Sequence, residues 1–95
     1  MSAILVFHEK RIATDGAIIE MTIWRVPKPV PPSGHGLKYS LFYGFPGRRV
    51  VAFDNERGKG DHMHVHDGER AYAFTTVEQL IGDFLTEVRK AGGKP

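Results

Sequence analysis

The chain has 95 residues, 41% hydrophobic and 25% charged, enough for one modest core in one small domain. It contains no cysteine, which excludes disulfides, thiolate nucleophiles and Cys-based metal sites. Its net charge of +2 is unevenly divided: residues 1–53 carry seven Lys/Arg against three Asp/Glu, a net of +4, and residues 54–95 carry six against eight, a net of −2. Four surplus charges make no strong nucleic-acid footprint.

The apolar run near the start has no basic region before it and is too short for a signal peptide or a membrane span, so a cytoplasmic protein is expected. That run, about residues 3–12, reads as a first strand turning polar at His8-Glu9-Lys10-Arg11. Thr14-Asp15-Gly16 supplies an Asp-Gly turn. Residues 17–26 then alternate, with Ile19, Met21 and Ile23 on one face and Glu20, Thr22 and Trp24 on the other, completing an antiparallel hairpin. Residues 27–36 hold four Pro and two Gly. Proline fixes φ and removes a ladder donor, so this stretch is an exposed, extended loop.

A third strand covers about 37–44, with Leu37, Tyr39, Leu41 and Tyr43 sharing a face. Phe45-Pro46-Gly47 turns the chain into a fourth strand at about 48–54. Asp67-Gly68 marks another turn, and a short strand over about 70–74 follows. The spacing of Val77, Leu80, Ile81, Phe84, Leu85 and Val88 predicts a helix over about 76–91. Thr75 with Glu78 is the expected capping box, and Gly92-Gly93 the stop. The expected fold is α+β: a four- to five-stranded antiparallel sheet with the amphipathic C-terminal helix packed on one face, leaving the other for function.

The stretch between the last two strands, FDNERGKGDHMHVH at 53–66, packs two Asp, one Glu, one Arg, one Lys, two Gly and three His into fourteen residues. It extends or interrupts the sheet, and it is poor core material. Together with Thr14-Asp15-Gly16, AIIEMTIWRVP (17–27), LKYSLFYG (37–44) and VEQLIGDFLTEV (77–88), it resembles the TumE-type toxins of prokaryotic toxin–antitoxin pairs. FDNERGKGDHMH (53–64) is the specific part of the resemblance. Asp54, Asn55, Lys59, Asp61, His62 and His64 match the family's motif, whereas His66 lies outside it. The resemblance implies a cytoplasmic toxin of a type II pair, partnered by a helix-turn-helix antitoxin; it supplies no mechanism.

The residues themselves suit metal-independent RNA cleavage. Attack of a 2′-hydroxyl on the adjacent phosphate needs a base, an acid and cations around the transition state. Imidazole serves either proton role near neutrality, and His62 and His64, two apart on an extended segment, share a side. They are the candidate general base and acid, with Asp54 orienting an imidazole. Lys38, Arg57 and Lys59 are candidate phosphate ligands. Gly58 and Gly60 would admit a phosphate close to the backbone, and Asn55 completes the candidate substrate-binding set.

Two other readings stay open. His62, His64 and His66 at alternate positions could ligate zinc or another divalent metal, with Asp54 or Asp61 completing the site of a metal-dependent hydrolase. A non-catalytic domain that binds and inhibits a target would use the same surface without chemistry. Asp54-Asn55 ahead of Gly58 and Gly60 is also ordinary turn chemistry. His8 and His35 read as incidental, and Trp24 as a cover for the sheet or a platform for a base.

Overall fold

A computed structural model of the chain describes residues 2–66 and 68–95. Six strands follow one another in space as they do in sequence: β1 (Ile4–Ile12), β2 (Ile18–Arg25), β3 (Leu37–Phe45), β4 (Arg48–Glu56), β5 (Gly60–Val65) and β6 (Gly68–Ala71). Every neighbouring pair is antiparallel, and one helix, α1 (Val77–Lys90), ends the chain. The α+β architecture is as expected, but the sheet has six strands rather than four to five. The extra strand comes from the 53–66 stretch. Gly58 at φ 87° and Gly60 at φ 75° close a tight turn, so the chain reverses and pairs Glu56 with Gly60, Asp54 with His62 and Ala52 with His64. The last strand pairs over Gly68–Ala71 and then leaves the sheet. The expected turn at Asp67-Gly68 falls partly outside the described residues, which lack Asp67.

Turn chemistry fixes the other registers. Asp15 Oδ1 accepts from the Ala17 amide at 2.9 Å, while Gly16 takes φ 89°. Pro46-Gly47 joins β3 to β4, with Gly47 at φ 75°, as a Pro-Gly turn of this hand requires.

Period-2 alternation then sorts side chains between two faces. Ile19, Met21, Ile23, Tyr39, Leu41, Tyr43, Val51 and Phe53 point to one side, where Leu80, Phe84 and Val88 of α1 meet them. Phe84 and Phe53 pack edge to face, 5.8 Å between centroids. Burying a large apolar side chain contributes about 1.5–3 kcal/mol, so these helix anchors hold α1 to the sheet. The cap is Thr76, not Thr75: Thr76 has an extended backbone and its hydroxyl accepts from the Gln79 amide at 3.1 Å. The capping frame therefore runs Thr76 to Gln79, one residue later than expected. At the other end Gly92 at φ 92° lets the Gly93 amide donate to Val88 and the Gly92 amide to Arg89, closing the helix. No described helix is long and apolar enough to cross a membrane.

Candidate functional site

Strand parity divides the 53–66 stretch into two sets of side chains. Asp54, Glu56, His62 and His64 fall on the face that α1 leaves open, and Asn55 and Asp61 on the helix side. One row across the open face reads His8, Thr22, Ser40, Asp54, His62, Ala71; the next reads Lys10, Glu20, Phe42, Ala52, His64, Glu69.

His62 is the centre of the open-face set. Its residue is only 7% exposed, and its Nδ1 donates to the Gly60 carbonyl at 3.0 Å, which leaves Nε2 facing Asp54 Oδ1 at 2.6 Å. The Asp54 contact is an ion-pair approach rather than an aligned hydrogen bond, and Oδ1 has no other partner. An unprotonated Nε2 and a carboxylate would repel at this distance, so a proton or a cation must sit between them. Glu56 and Glu69 stand farther off, 3.9 and 3.8 Å from the same nitrogen. Burial pushes the Asp54 carboxyl above its ordinary range. His62, Lys38 and Arg49 pull it back, and Glu56 adds to the rise.

His64 lies in the next row. Arg49 donates to its Nδ1 at 3.2 Å, so in this arrangement the ring is neutral with its proton on Nε2. Lys38 enters the open face beside Trp24, and its ammonium donates to the Asn55 carbonyl. Arg57 is exposed at the β4–β5 turn. Lys59, also exposed, is engaged by Glu69 at 3.0 Å; the hydrogen bond raises the lysine's pKa and lowers the glutamate's.

The helix-side set does something different. Asn55 is fully buried, and its amide is spent: Oδ1 accepts from the Tyr39 amide at 2.9 Å, and Nδ2 donates to the Leu37 carbonyl at 2.7 Å. Asp61 accepts from the Ser33 hydroxyl, from His35 Nε2 at 2.6 Å and from the Tyr39 hydroxyl at 2.7 Å. The Leu37 amide donates to His35 Nδ1, and the ring packs on Phe74 at 4.1 Å. The Gly58 amide donates to Pro31, and a side chain at Gly60 would press on Pro32 at 3.1 Å. The contacts of Pro31, Pro32, Ser33 and His35 fasten the proline-rich loop to the back of the sheet, and those with Leu37 and Tyr39 tie β4 and β5 to β3.

Several expectations change accordingly. Asn55 has no group free for a substrate and faces away from the histidines. The Gly58 amide is already bonded, and Gly60 is shaped for Pro32 rather than for a phosphate. His35 is no bystander, because it completes the Asp61 network. His66 follows the end of β5 at φ 56° and is exposed, so the 62–64–66 alternation breaks before it. Among the described residues the one set of three ligand atoms within 4.8 Å belongs to Asp54, Glu56 and His62 instead. Arg49, Glu56 and Glu69 were not anticipated. Counting outward from the Arg57-Gly58-Lys59 turn would have paired Asp54 with His62 and placed Glu56 on the same face.

Neither the curated proteins nor the solved structures contain a match to this chain. The model of the family described as Toxin TumE does match, over residues 3–91, a span that includes both faces of the sheet, the proline-rich loop and the helix. The chain therefore belongs to the TumE toxin family, the toxin component of a toxin–antitoxin system with an antitoxin as its partner.

Proposed function

We propose that this toxin belongs to a type II pair, is held in check by a helix-turn-helix antitoxin, and acts in the cytoplasm by cleaving RNA without a metal. The observation that supports this reading most is His62, gripped at Nδ1 by Gly60 and faced at Nε2 by Asp54 at 2.6 Å, with His64 beside it on the open face. Arg49 moving onto the substrate phosphate frees the His64 Nδ1 lone pair. That nitrogen takes the proton from the 2′-hydroxyl as its oxygen attacks phosphorus. Protonated His62 gives its Nε2 proton to the departing 5′-oxygen, with Asp54 steadying the imidazolium until then. A 2′,3′-cyclic phosphate and a 5′-hydroxyl are left. Lys38 and Arg57 supply further positive charge, and Lys59 joins them if Glu69 releases it.

A second reading has a specific observation behind it. Asp54, Glu56 and His62 offer three ligand atoms within 4.8 Å, and a histidine that donates Nδ1–H to a backbone carbonyl presents Nε2 as metal ligands commonly do. A divalent cation there would serve a hydrolase of the metal-dependent kind.

One experiment separates these from toxicity by binding alone. Purified protein is incubated with total RNA, with and without EDTA, beside folded His62→Ala and His64→Ala variants. Discrete cleavage that survives EDTA, ends in cyclic phosphate and falls about 10²–10⁴-fold in each variant is the expected result. Cleavage lost to EDTA and restored by a divalent cation transfers the site to a metal. Intact RNA throughout, with toxicity retained by both variants, overturns the nuclease reading in favour of a non-catalytic inhibitor.

A further inference from the structure

We propose that Trp24 is a stacking platform for a base of single-stranded RNA, placed beside the histidine pair on the same open face. This inference deepens the nuclease reading and rests on it for the identity of the ligand. Trp24 lies on β2 directly across from Lys38 on β3, one row away from the row of Thr22, Ser40, Asp54 and His62. It is 38% exposed, on the side of the sheet opposite α1. Its neighbours in the His62 row, Thr22 and Ser40, are short and polar, and the one long side chain beside it toward β5 is the cation Lys38.

Three features point to a nucleobase. An indole with more than a third of its surface in water on a sheet face offers an apolar area that a flat base can cover. Every base has such a face, so the platform is tolerant of sequence; in a duplex those faces are occupied by neighbouring pairs, so the platform selects single strands. Lys38 beside the ring, with Arg49 farther along the face, provides positive charge for a phosphate backbone that continues toward His62. From β2 to β5 is three strand spacings, and one row along the strand brings the total to about 16 Å. A short extended strand of RNA spans this distance with one base on Trp24 and a phosphate at the histidines.

The chain contains a single tryptophan, so its fluorescence reports this position alone. The test titrates the intact protein with a single-stranded 2′-deoxy oligonucleotide, which lacks the attacking hydroxyl and is not consumed, and with the corresponding duplex. Saturable quenching by the single strand and little by the duplex is expected. Read by the fluorescence anisotropy of a dye-labelled oligonucleotide, which does not depend on the indole, Trp24→Ala should raise Kd for the single strand roughly 5- to 150-fold, and Trp24→Phe should recover most of the loss. Circular dichroism checks that the variants fold. Should Trp24→Ala fail to fold, protection of the wild-type indole from acrylamide by the oligonucleotide serves in its place. Equal quenching by duplex, an unchanged Kd in Trp24→Ala, or no protection overturns the platform. RNA cleavage by the wild type alongside any of these leaves the nuclease reading standing without it. Quenching and a Trp24-dependent Kd with no cleavage would do the reverse.

Discussion

Asp54 and Asp61 are seven residues apart in one motif, and the fold gives them opposite electrostatic characters. Burial dominates at Asp54 and raises its carboxyl, so the folded protein holds that proton more tightly than the unfolded chain does. Its favourable contribution is full below the ordinary carboxylate range and is lost as pH rises through the raised value. Asp54→Asn is therefore expected to raise the melting temperature at pH 7 while abolishing the proposed RNA cleavage, with the gain shrinking as the medium is acidified toward about pH 4. At Asp61 burial also pushes upward, but the hydrogen bonds from Ser33, Tyr39 and His35 outweigh it and hold the carboxyl below its usual range. Its contribution is present above that range and lost as pH falls through the lowered value. Asp61→Asn should cost about 2–4 kcal/mol at pH 7, and the gap from wild type should close in acid. Melting curves of both variants at pH 7 and pH 4 decide the matter; shifts of the same sign would refute the division of labour between the two faces. Alternation along one extended segment marks out His62 and His64 as sharing a face, and the composition of the motif adds Asp54 as a carboxylate to orient an imidazole. Neither could separate Asn55 and Asp61 from them, since that needs the register of a hairpin with the proline-rich loop folded behind it.

The helix shows how far a local pattern carries and where it stops. Its apolar positions recur at a spacing that only one face of a helix can satisfy, and Leu80, Phe84 and Val88 are indeed the buried set. Its first residue was harder to place, because Thr75 and Thr76 each have an acidic or amide side chain three residues on. Tertiary context decides between them: no helix forms after β6 until Thr76, whose φ of −133° and ψ of 163° are still extended, has been passed. Thr76→Ala should cost about 1 kcal/mol by denaturant unfolding, and Thr75→Ala no more than about 0.5. The reverse order would place the helix start one residue earlier. The strand over 60–65 escaped for a related reason. Glycines and charges fill the β4–β5 turn, and Asp61 puts a carboxylate on the face that carries Met63 and Val65, so the period-2 pattern is clean over His62–Val65 alone. Pairing with β4 makes this stretch a strand where its own propensity would not.

At the scale of the whole molecule, the site joins the most buried part of the sheet to its most exposed edge. Asp54 is on β4, whose neighbours Val51 and Phe53 are fully buried beneath α1. His62 and His64 are on β5, whose other neighbour, β6, is four residues long and exposed throughout. Local opening is easiest where few apolar side chains are lost to water, so β6 is expected to detach well before the centre of the sheet. Its departure would remove Glu69 from both His62 and Lys59, easing the crowding of carboxylates at the imidazole and releasing a cation, while Asp54 keeps its place on the buried strand. Hydrogen exchange tests the gradient directly. Amides of β3 and β4 should approach the protection set by global unfolding, on the order of 5–15 kcal/mol, whereas those of Gly68–Ala71 should exchange several orders of magnitude faster. Protection of β6 equal to that of β4 would mean that the sheet opens only as a unit. Glu69 would then be a fixed partner of His62, and Lys59 would be lost as a proposed phosphate ligand. The expected gradient instead leaves His62 and His64 on a strand with one rigid neighbour and one yielding one, which is the arrangement the proposed nuclease would need for a bulky polymer to reach its histidines without unfolding the sheet that positions them.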